Sequence, residues 1–316
     1  MEKTLDQLEI VTNPSAEQWI DMVQWMAKAE WPLTLEDLTA WKRSFGERFW
    51  LFIAIEKETK ESVACVMGLS EMTAVDNEEN KEYVYIVGLY FVREDWRKHD
   101  VGTTLFNKFM EVAGDSNKAL LSVLDMSGKY AAKYGFDKML NYKHDMATIP
   151  IEHIVIPKGD PEYIIKDLKH VDEKKLAAYD SSVNRLNRAD YLLNFITTIN
   201  CYTKVALNES GDVVGYCCIR SVLMNYLSIS PLYADNEAVA RTLLAEVLPM
   251  VHHMKIYRHL KAMYPAANEQ ARSLFDALGG GQTKFENMGQ CVFTKKILPI
   301  VEGKVFSICE TLKGYV

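Results

Sequence analysis

The spacing of apolar positions changes from that of a strand to that of a helix near residue 93, and this change marks the central element of the chain. Tyr83–Val92 is a run of β-branched and aromatic residues without proline, the composition of a buried strand. From Val101 onward, apolar residues recur at helical spacing as far as Ala113. The pattern predicts a central strand, a short polar loop and an amphipathic helix that packs on the sheet.

The flanking segments predict further strands and helices in the first half of the chain. Residues 8–11 read as a first strand, and two helices follow, one opening at Pro14-Ser15 and one opening at Thr34. Residues 49–55 and 62–69 read as an antiparallel hairpin. The elements predicted after the central helix are a strand at 119–124, a helix at 129–135 and a strand at 142–147.

The same order of elements returns beyond Pro150, which predicts a repeated fold. The second set comprises strands at 204–207, 213–222, 226–231 and 256–263, helices at 237–247 and 268–279, and last strands between 298 and 309. A chain of 316 residues is long enough for two domains of ordinary size. We place their boundary at residue 150, which gives domains 1–150 and 151–316.

The loop after the central strand is a candidate anion site. A helix start leaves backbone N–H groups unpaired, and the helix dipole adds partial positive charge there, so such an end favours phosphate. Arg97 and Lys98 add cations, and Gly102 permits close approach. The loop therefore predicts a diphosphate site. The alternative is an ordinary turn whose basic side chains are only solvated.

Residues 92–103, VREDWRKHDVGT, resemble the acetyl-CoA loop of the GNAT acetyltransferase superfamily. Arg97 and Gly102 match the family pattern, whereas Asp100 stands where the family has its first glycine. The resemblance implies that the end of the central strand and this loop hold acetyl-CoA. The residues implied as cofactor contacts are Phe91, Val92, Arg97, Lys98, His99, Asp100, Val101, Gly102 and Thr103.

The resemblance also implies the fold class and the reaction. The fold class is α/β (α+β), with two GNAT-like domains, each a mixed, mostly antiparallel central sheet flanked by helices. The second domain has no phosphate loop, because residues 231–236 contain a proline and no cation or glycine. The chain thus resembles tandem GNAT proteins. The reaction implied is transfer of an acetyl group from acetyl-CoA to a small-molecule amine by direct attack in a ternary complex.

The acid and the base of such a reaction are not fixed by a motif. Tyr130 and Tyr134 flank Ala131, which occupies the position where the family has its tyrosine, so either is a candidate acid. Glu82 is a candidate base, and Glu71 is another. For both glutamates, an ordinary surface charge is the competing interpretation.

Three tryptophans of the predicted helical pair are candidates for lining the acceptor pocket. They are Trp25, Trp31 and Trp41. Packing in the core or at its rim is the competing interpretation for each of them.

Composition limits the partners that we expect. The net charge is −7, from 36 basic and 43 acidic residues, which disfavours nucleic acid and anionic membranes as partners. The six cysteines lie mostly in apolar runs without zinc spacing, so we expect buried free thiols and no metal site. The polar N-terminus is unlike a secretory signal, and we expect a cytoplasmic protein. The sequence leaves open whether the protein forms a homodimer.

Two other functions stay open at this point. The first is a noncatalytic GNAT-like protein that binds CoA weakly or not at all and acts as a sensor or scaffold, an alternative favoured by Asp100 and by the short segment 124–135. The second is acetylation of protein substrates, which needs an extended acceptor groove that a second domain would restrict. Titration with acetyl-CoA separates the first of these from an enzyme.

Overall fold

A single continuous sheet runs through both halves of the chain in the computed structural model, which describes residues 3–74 and 82–309. The strands of the first half are β1 (Leu8–Thr12), β2 (Phe49–Glu56), β3 (Ser62–Thr73), β4 (Tyr83–Val92), β5 (Asn117–Val123), β6 (Lys138–Met139) and β7 (His144–Pro150). Those of the second half are β8 (Ile164–Asp167), β9 (Leu186–Asn187), β10 (Cys201–Leu207), β11 (Val213–Val222), β12 (Tyr226–Ala234), β13 (His259–Pro265), β14 (Lys284–Phe293) and β15 (Val305–Ser307). Most neighbouring pairs are antiparallel.

Helices cover the faces of this sheet. They are α1 (Ala16–Lys28), α2 (Asp37–Phe45), α3 (Val101–Ala113), α4 (Leu124–Tyr134), α5 (Glu173–Asn184), α6 (Ala189–Ile196), α7 (Glu237–Val247) and α8 (Glu269–Leu278). Each buries one apolar stripe, as an amphipathic helix on a sheet does. Helix α3 buries Leu105, Phe106 and Phe109, and Gly68 of β3 lets the Phe109 ring lie close to the sheet. The predicted fold class is confirmed.

The last long strand of each half pairs with the other half. Strand β14 lies between β5 and β7, with Cys291 opposite Leu121 and Glu286 opposite Met146. Strand β7 in turn pairs with β13, with Met146 opposite Met263. The division of the chain into two domains at residue 150 remains a proposal, because each half contributes a strand that pairs with strands of the other half.

Several predicted element boundaries need correction. The last long strand is β14, whereas 298–309 holds only the three residues of β15, and α4 begins at Leu124, where the sequence predicted the end of a strand. The strands predicted at 142–147 and 256–263 are the later β7 and β13. Helices α5 and α6 were not predicted at all. Both help to form the apolar core shared with α1, α2 and the first strands.

Candidate functional site

Strand β4 separates from β5 halfway along its length. The two strands are paired in parallel only where residues 84–86 lie opposite residues 117–119. Beyond this point β4 contains a bulge: its register with β3 shifts between Gly88 and Phe91, and Leu89 adopts a left-handed backbone with φ of 45°. The carbonyl of Leu89 accepts a hydrogen bond from the Cys65 thiol at 3.1 Å. The bulge therefore opens a gap in the sheet.

This gap is a cavity of about 460 Å³, the β4–β5 cavity. Its walls are residues 87–92 of β4, Leu120, Leu121 and Val123 of β5, and Trp31 from the segment between α1 and α2. Arg97 is the one charged side chain among the lining residues that the structure describes. The predicted contacts Phe91, Val92 and Arg97 therefore come together around one cavity, beside residues 87–92 of β4, which on this side pair with no other strand that the structure describes.

The loop at the mouth of this cavity ends at the first turn of α3. Lys98 and Asp100 both have left-handed backbones, with φ of 68° and 59°. The Asp100 carbonyl accepts the first helical hydrogen bond from Thr104 N–H, but within the described chain the Asp100 carboxylate does not cap the helix. The amides of residues 101–103 thus keep the outward donors that an anion requires. His99 packs against Trp96, edge to face.

Tyr90 and Lys133 lie near the loop and were missed by sequence reasoning. Gly102 lies so close to Tyr90 that a Cβ atom there would be 2.4 Å from the Tyr90 hydroxyl oxygen. This contact explains the need for glycine at the second family position. From α4, Lys133 donates a hydrogen bond to Thr103 Oγ1 at 3.2 Å and brings another cation to the loop. Neither residue belongs to a motif, and only the packing of α3 against β4 and α4 brings them here.

The two candidate tyrosines occupy different places. Tyr130 lines the β4–β5 cavity and is 8% exposed, and burial raises the pKa of its phenol well above the usual value. Tyr90, across the cavity wall, also has its pKa raised by burial. Tyr134 instead packs on Phe106, with ring centroids 4.3 Å apart, and does not line the cavity. Of the two candidate tyrosines, Tyr130 is therefore the one that lines the cavity.

The structure does not bring the candidate glutamates to this cavity. Glu82 precedes β4 at the end opposite the loop, where its exposed carboxylate pairs with Lys296 at 2.6 Å. Glu71 is buried in β3, opposite Val84 in the ladder. Glu82 is ten residues of chain from Val92, and the position of Glu71 is eight residues of strand from it, which at 3.3 Å per residue is roughly 33 Å and roughly 26 Å. Neither glutamate can act as a base in the cavity directly.

The three candidate tryptophans and Cys65 of β3 lie in different places, some at the cavity wall and some in the apolar core. Trp31 lines the cavity, whereas Trp41 is fully buried against Trp19 and Trp25 lies beneath Lys28. Cys65 is buried, and burial raises the pKa of its thiol to about 12, so it does not supply a thiolate.

Within residues 3–74 and 82–309, no group of three or more His, Cys, Asp or Glu side chains could hold a metal ion. Within the same ranges, the helices lack the combination of length and apolar character that crossing a bilayer requires.

The second half differs at the equivalent place. Asn236 caps α7, because its side-chain oxygen accepts the Val239 N–H at 3.0 Å. The segment that connects the two halves crosses this region, with the Asp160 N–H donating to Thr242 Oγ1 at 2.8 Å and Gly159 packed against the same side chain. The Asn236 side chain therefore engages a backbone donor at the start of α7, whereas the Asp100 side chain does not do so at the start of α3.

The fold is similar to that of solved GNAT proteins, one of which is a tandem GNAT protein. A proposed acetyltransferase from Pyrococcus horikoshii superposes with a TM-score of 0.68 at 14% identity, covering 99% of this chain and 98% of that one. A tandem GNAT protein from the clavulanic acid biosynthesis pathway superposes with a TM-score of 0.61 at 16% identity, covering 90% and 97%. A GNAT acetyltransferase domain model matches residues 176–293.

The chain belongs to the family described as "Protein of unknown function (DUF1248)", whose model matches residues 5–183. An uncharacterised protein of Caenorhabditis elegans is 27% identical over 178 residues, which are 53% of this chain and 55% of that protein. The chain thus spans about half the length of this curated relative.

Proposed function

We propose that the protein is an N-acetyltransferase that moves an acetyl group from acetyl-CoA to the amine of a small molecule. The observation that carries this proposal is the open edge of β4, which leads from the β4–β5 cavity to the uncapped start of α3 beside Arg97. An extended ligand with amides at one end and a diphosphate at the other matches this arrangement. Its amides would pair with the edge of β4, and its diphosphate would bind the N–H groups at the start of α3. The GNAT fold of the relatives supports the same reaction class.

The residues present fit acetyl-CoA. Backbone groups of Phe91 and Val92 would pair with the amides of its pantetheine arm, and the amides of residues 101–103 with Arg97 would hold the diphosphate. Lys133 adds positive charge at the same loop. When bound, acetyl-CoA supplies a thioester: the amine nitrogen bonds to the acetyl carbon, the carbon–sulfur bond breaks, the amine loses a proton and the sulfur gains one.

Tyr130 is the protein group best placed to supply the proton for the sulfur. Tyr130 lines the β4–β5 cavity, and its phenol is protonated at neutral pH, since burial raises its pKa further above the usual value. Because Glu82 and Glu71 lie elsewhere, the ammonium proton leaves through solvent or a group near the acceptor. We propose further that the protein is cytoplasmic and that the second domain does not bind CoA.

Arg97→Ala tests the cofactor site. If Arg97 pairs with the diphosphate, the variant should bind acetyl-CoA more weakly by about 1.5 to 3 kcal/mol, the scale of a hydrogen bond to a charged group. Isothermal titration calorimetry measures this loss. Arg43→Ala removes an equal charge from an exposed position on α2 and should leave the affinity unchanged.

Either of two outcomes would contradict this assignment. Equal affinities of Arg97→Ala and the wild type would place the cofactor elsewhere. Absence of heat when the wild type meets acetyl-CoA at roughly millimolar concentration, where a Kd of that size would still register, would reject the enzyme. Binding without thiol release across a panel of amines would favour the sensor or scaffold.

Asp100→Gly should tighten acetyl-CoA binding. Asp100 already has the left-handed backbone that glycine would adopt, so the affinity change should come from removing a negative charge beside the diphosphate. We expect about 1 kcal/mol at low salt and less at roughly 0.3 M salt, because ions screen the repulsion. Calorimetry at the two salt concentrations measures the difference.

Asp100→Asn is the matched control for this prediction. Asparagine tolerates the left-handed backbone and removes the same charge, so its gain in affinity should equal that of Asp100→Gly. A loss of binding in both variants would mean that the Asp100 carboxylate orders the loop, for example by pairing with Lys98 or His99. If Asp100→Gly tightens binding and Asp100→Asn does not, the gain in affinity comes from the backbone and not from the charge.

A further inference from the structure

A second cavity adjoins the β4–β5 cavity at the place where the two halves exchange strands. This junction cavity has a volume of about 350 Å³. Strands β5, β14, β7, β13 and β12 form its floor side by side, and residues 29–32 cover it. Trp31, Leu121 and Val123 line both cavities, so the two share a wall. A molecule in the junction cavity therefore lies next to the end of the β4–β5 cavity.

Two of the charged groups in the junction cavity neutralise each other. Glu30 pairs with Lys261 at 2.9 Å, and this ion pair holds the pKa of the Glu30 carboxyl below its usual value. The ammonium of Lys261 also lies over the Tyr226 ring, 4.6 Å from its centroid, and the Tyr226 hydroxyl donates to the Glu30 carbonyl. Lys261 is thus engaged on two sides, and a ligand carboxylate would have to compete with Glu30 for it.

Glu286 is the carboxylate left without a counterion. It projects from β14 on the same face of the sheet as Met146, its direct partner in the ladder, and Met263 continues this apolar floor. Within residues 3–74 and 82–309, Glu286 forms no ion pair. The described lining therefore carries two carboxylates and one ammonium over a methionine surface. Glu30 also pairs with Arg258, outside the lining, at 3.7 Å, so the carboxylate that acts on a ligand here is that of Glu286. A carboxylate above an apolar floor attracts a cation with an apolar body and repels other carboxylates.

We propose that the junction cavity binds the acceptor, that the acceptor is a primary amine with an apolar body and no carboxylate, and that Glu286 binds its ammonium group. This inference rests on the proposed acetyltransferase function and narrows the acceptor to one chemical class. Because Glu286 belongs to β14 and Trp31 to the first half, the acceptor site needs both halves of the chain. Glu286 is a substrate-binding residue in this proposal, and it holds the amine beside the shared wall.

The experiment compares phenethylamine with phenylalanine, two amines that share an apolar body and differ by a carboxylate. Saturation-transfer difference NMR measures binding to the wild type in the presence of CoA, and thiol release from acetyl-CoA measures turnover. We expect phenethylamine to bind and phenylalanine to bind at least about tenfold more weakly. Glu286→Gln should weaken phenethylamine binding and raise its KM by about tenfold, with the Kd of acetyl-CoA unchanged.

Glu209→Gln, in the exposed turn between β10 and β11, is the matched control and should alter none of these values. Failure of the two proposals can be told apart, since absence of acetyl-CoA binding rejects the enzyme before any amine is tested. Where acetyl-CoA binds, three results each overturn the present inference: equal phenethylamine binding by Glu286→Gln and the wild type, preference for phenylalanine, or no binding of phenethylamine by the wild type.

Discussion

Asp37→Ala should lower the free energy of unfolding by about 3 to 5 kcal/mol, the scale of breaking a buried ion pair on one side. Asp37 of α2 and Arg220 of β11 are both almost fully buried, and their side chains pair across the two halves of the chain. The Arg220 guanidinium also lies 4.0 Å from the centroid of the Phe195 ring. Removing the carboxylate takes away the ion pair that this buried cation makes with Asp37. Chemical denaturation followed by circular dichroism measures the loss.

Asp37 also holds the segment that covers both cavities. Its carboxylate accepts hydrogen bonds from Thr34 N–H at 2.8 Å and from the Thr34 hydroxyl at 2.9 Å. This contact fixes the chain just after residues 29–32 and explains why the sequence Thr34-Leu35-Glu36-Asp37 starts a helix here. We therefore expect Asp37→Ala to weaken acceptor binding in addition to destabilising the fold.

The double variant Asp37→Ala with Arg220→Met separates charge burial from general damage. Replacing both members of a buried pair by apolar side chains often restores stability, so the double variant should recover most of the loss. Asp115→Ala breaks the exposed pair with Lys295 and should leave the denaturation midpoint almost unmoved. A double variant no more stable than Asp37→Ala would show that the hydrogen bonds to Thr34, and not the charge pair, matter most.

The local part of the site could be predicted from the sequence because its signals are local. The change of period around residue 93 marks the end of β4 and the start of α3, and Arg97 and Gly102 stand at the required positions between them. The tolerance of Asp100 for a left-handed backbone is also a local property, and the structure has that conformation. What these residues could not reveal is the bulge at Leu89, which arises from the register of β4 against β3.

The nonlocal part of the site could not be predicted in this way. Residues 284–293 include a glycine and polar side chains at irregular spacing, because β14 changes neighbours along its length and turns one of its faces to the junction cavity. Strand pairing between residues about 170 apart leaves no periodic trace, as Cys291 opposite Leu121 illustrates. Glu82 was a candidate base only because it precedes the central strand, and strand length alone separates it from the loop.

Gly289→Ala should break the exchange of strands and lower stability by about 3 kcal/mol, the upper end of the usual cost of overpacking. A Cβ atom at Gly289 would lie 2.4 Å from the backbone oxygen of Ser122 in β5, and a backbone atom cannot rotate away as a side chain can. The register of β14 against β7 shifts at the same point, between Asn287 and Gly289. The methyl group would therefore push β14 away from β5.

Gly289→Ala should weaken binding of the acceptor more than binding of the cofactor. Glu286 lies on the displaced strand, whereas Arg97 and the start of α3 belong to other elements. We expect a lowered denaturation midpoint and at least about a tenfold loss of phenethylamine binding, with acetyl-CoA affinity in the folded fraction changed much less. Gly303→Ala adds the same methyl group where nothing lies within 4 Å and should be neutral in every assay. Wild-type stability in Gly289→Ala would mean that β14 does not pair with β5 at this residue, and the shared acceptor site would have to be abandoned with it.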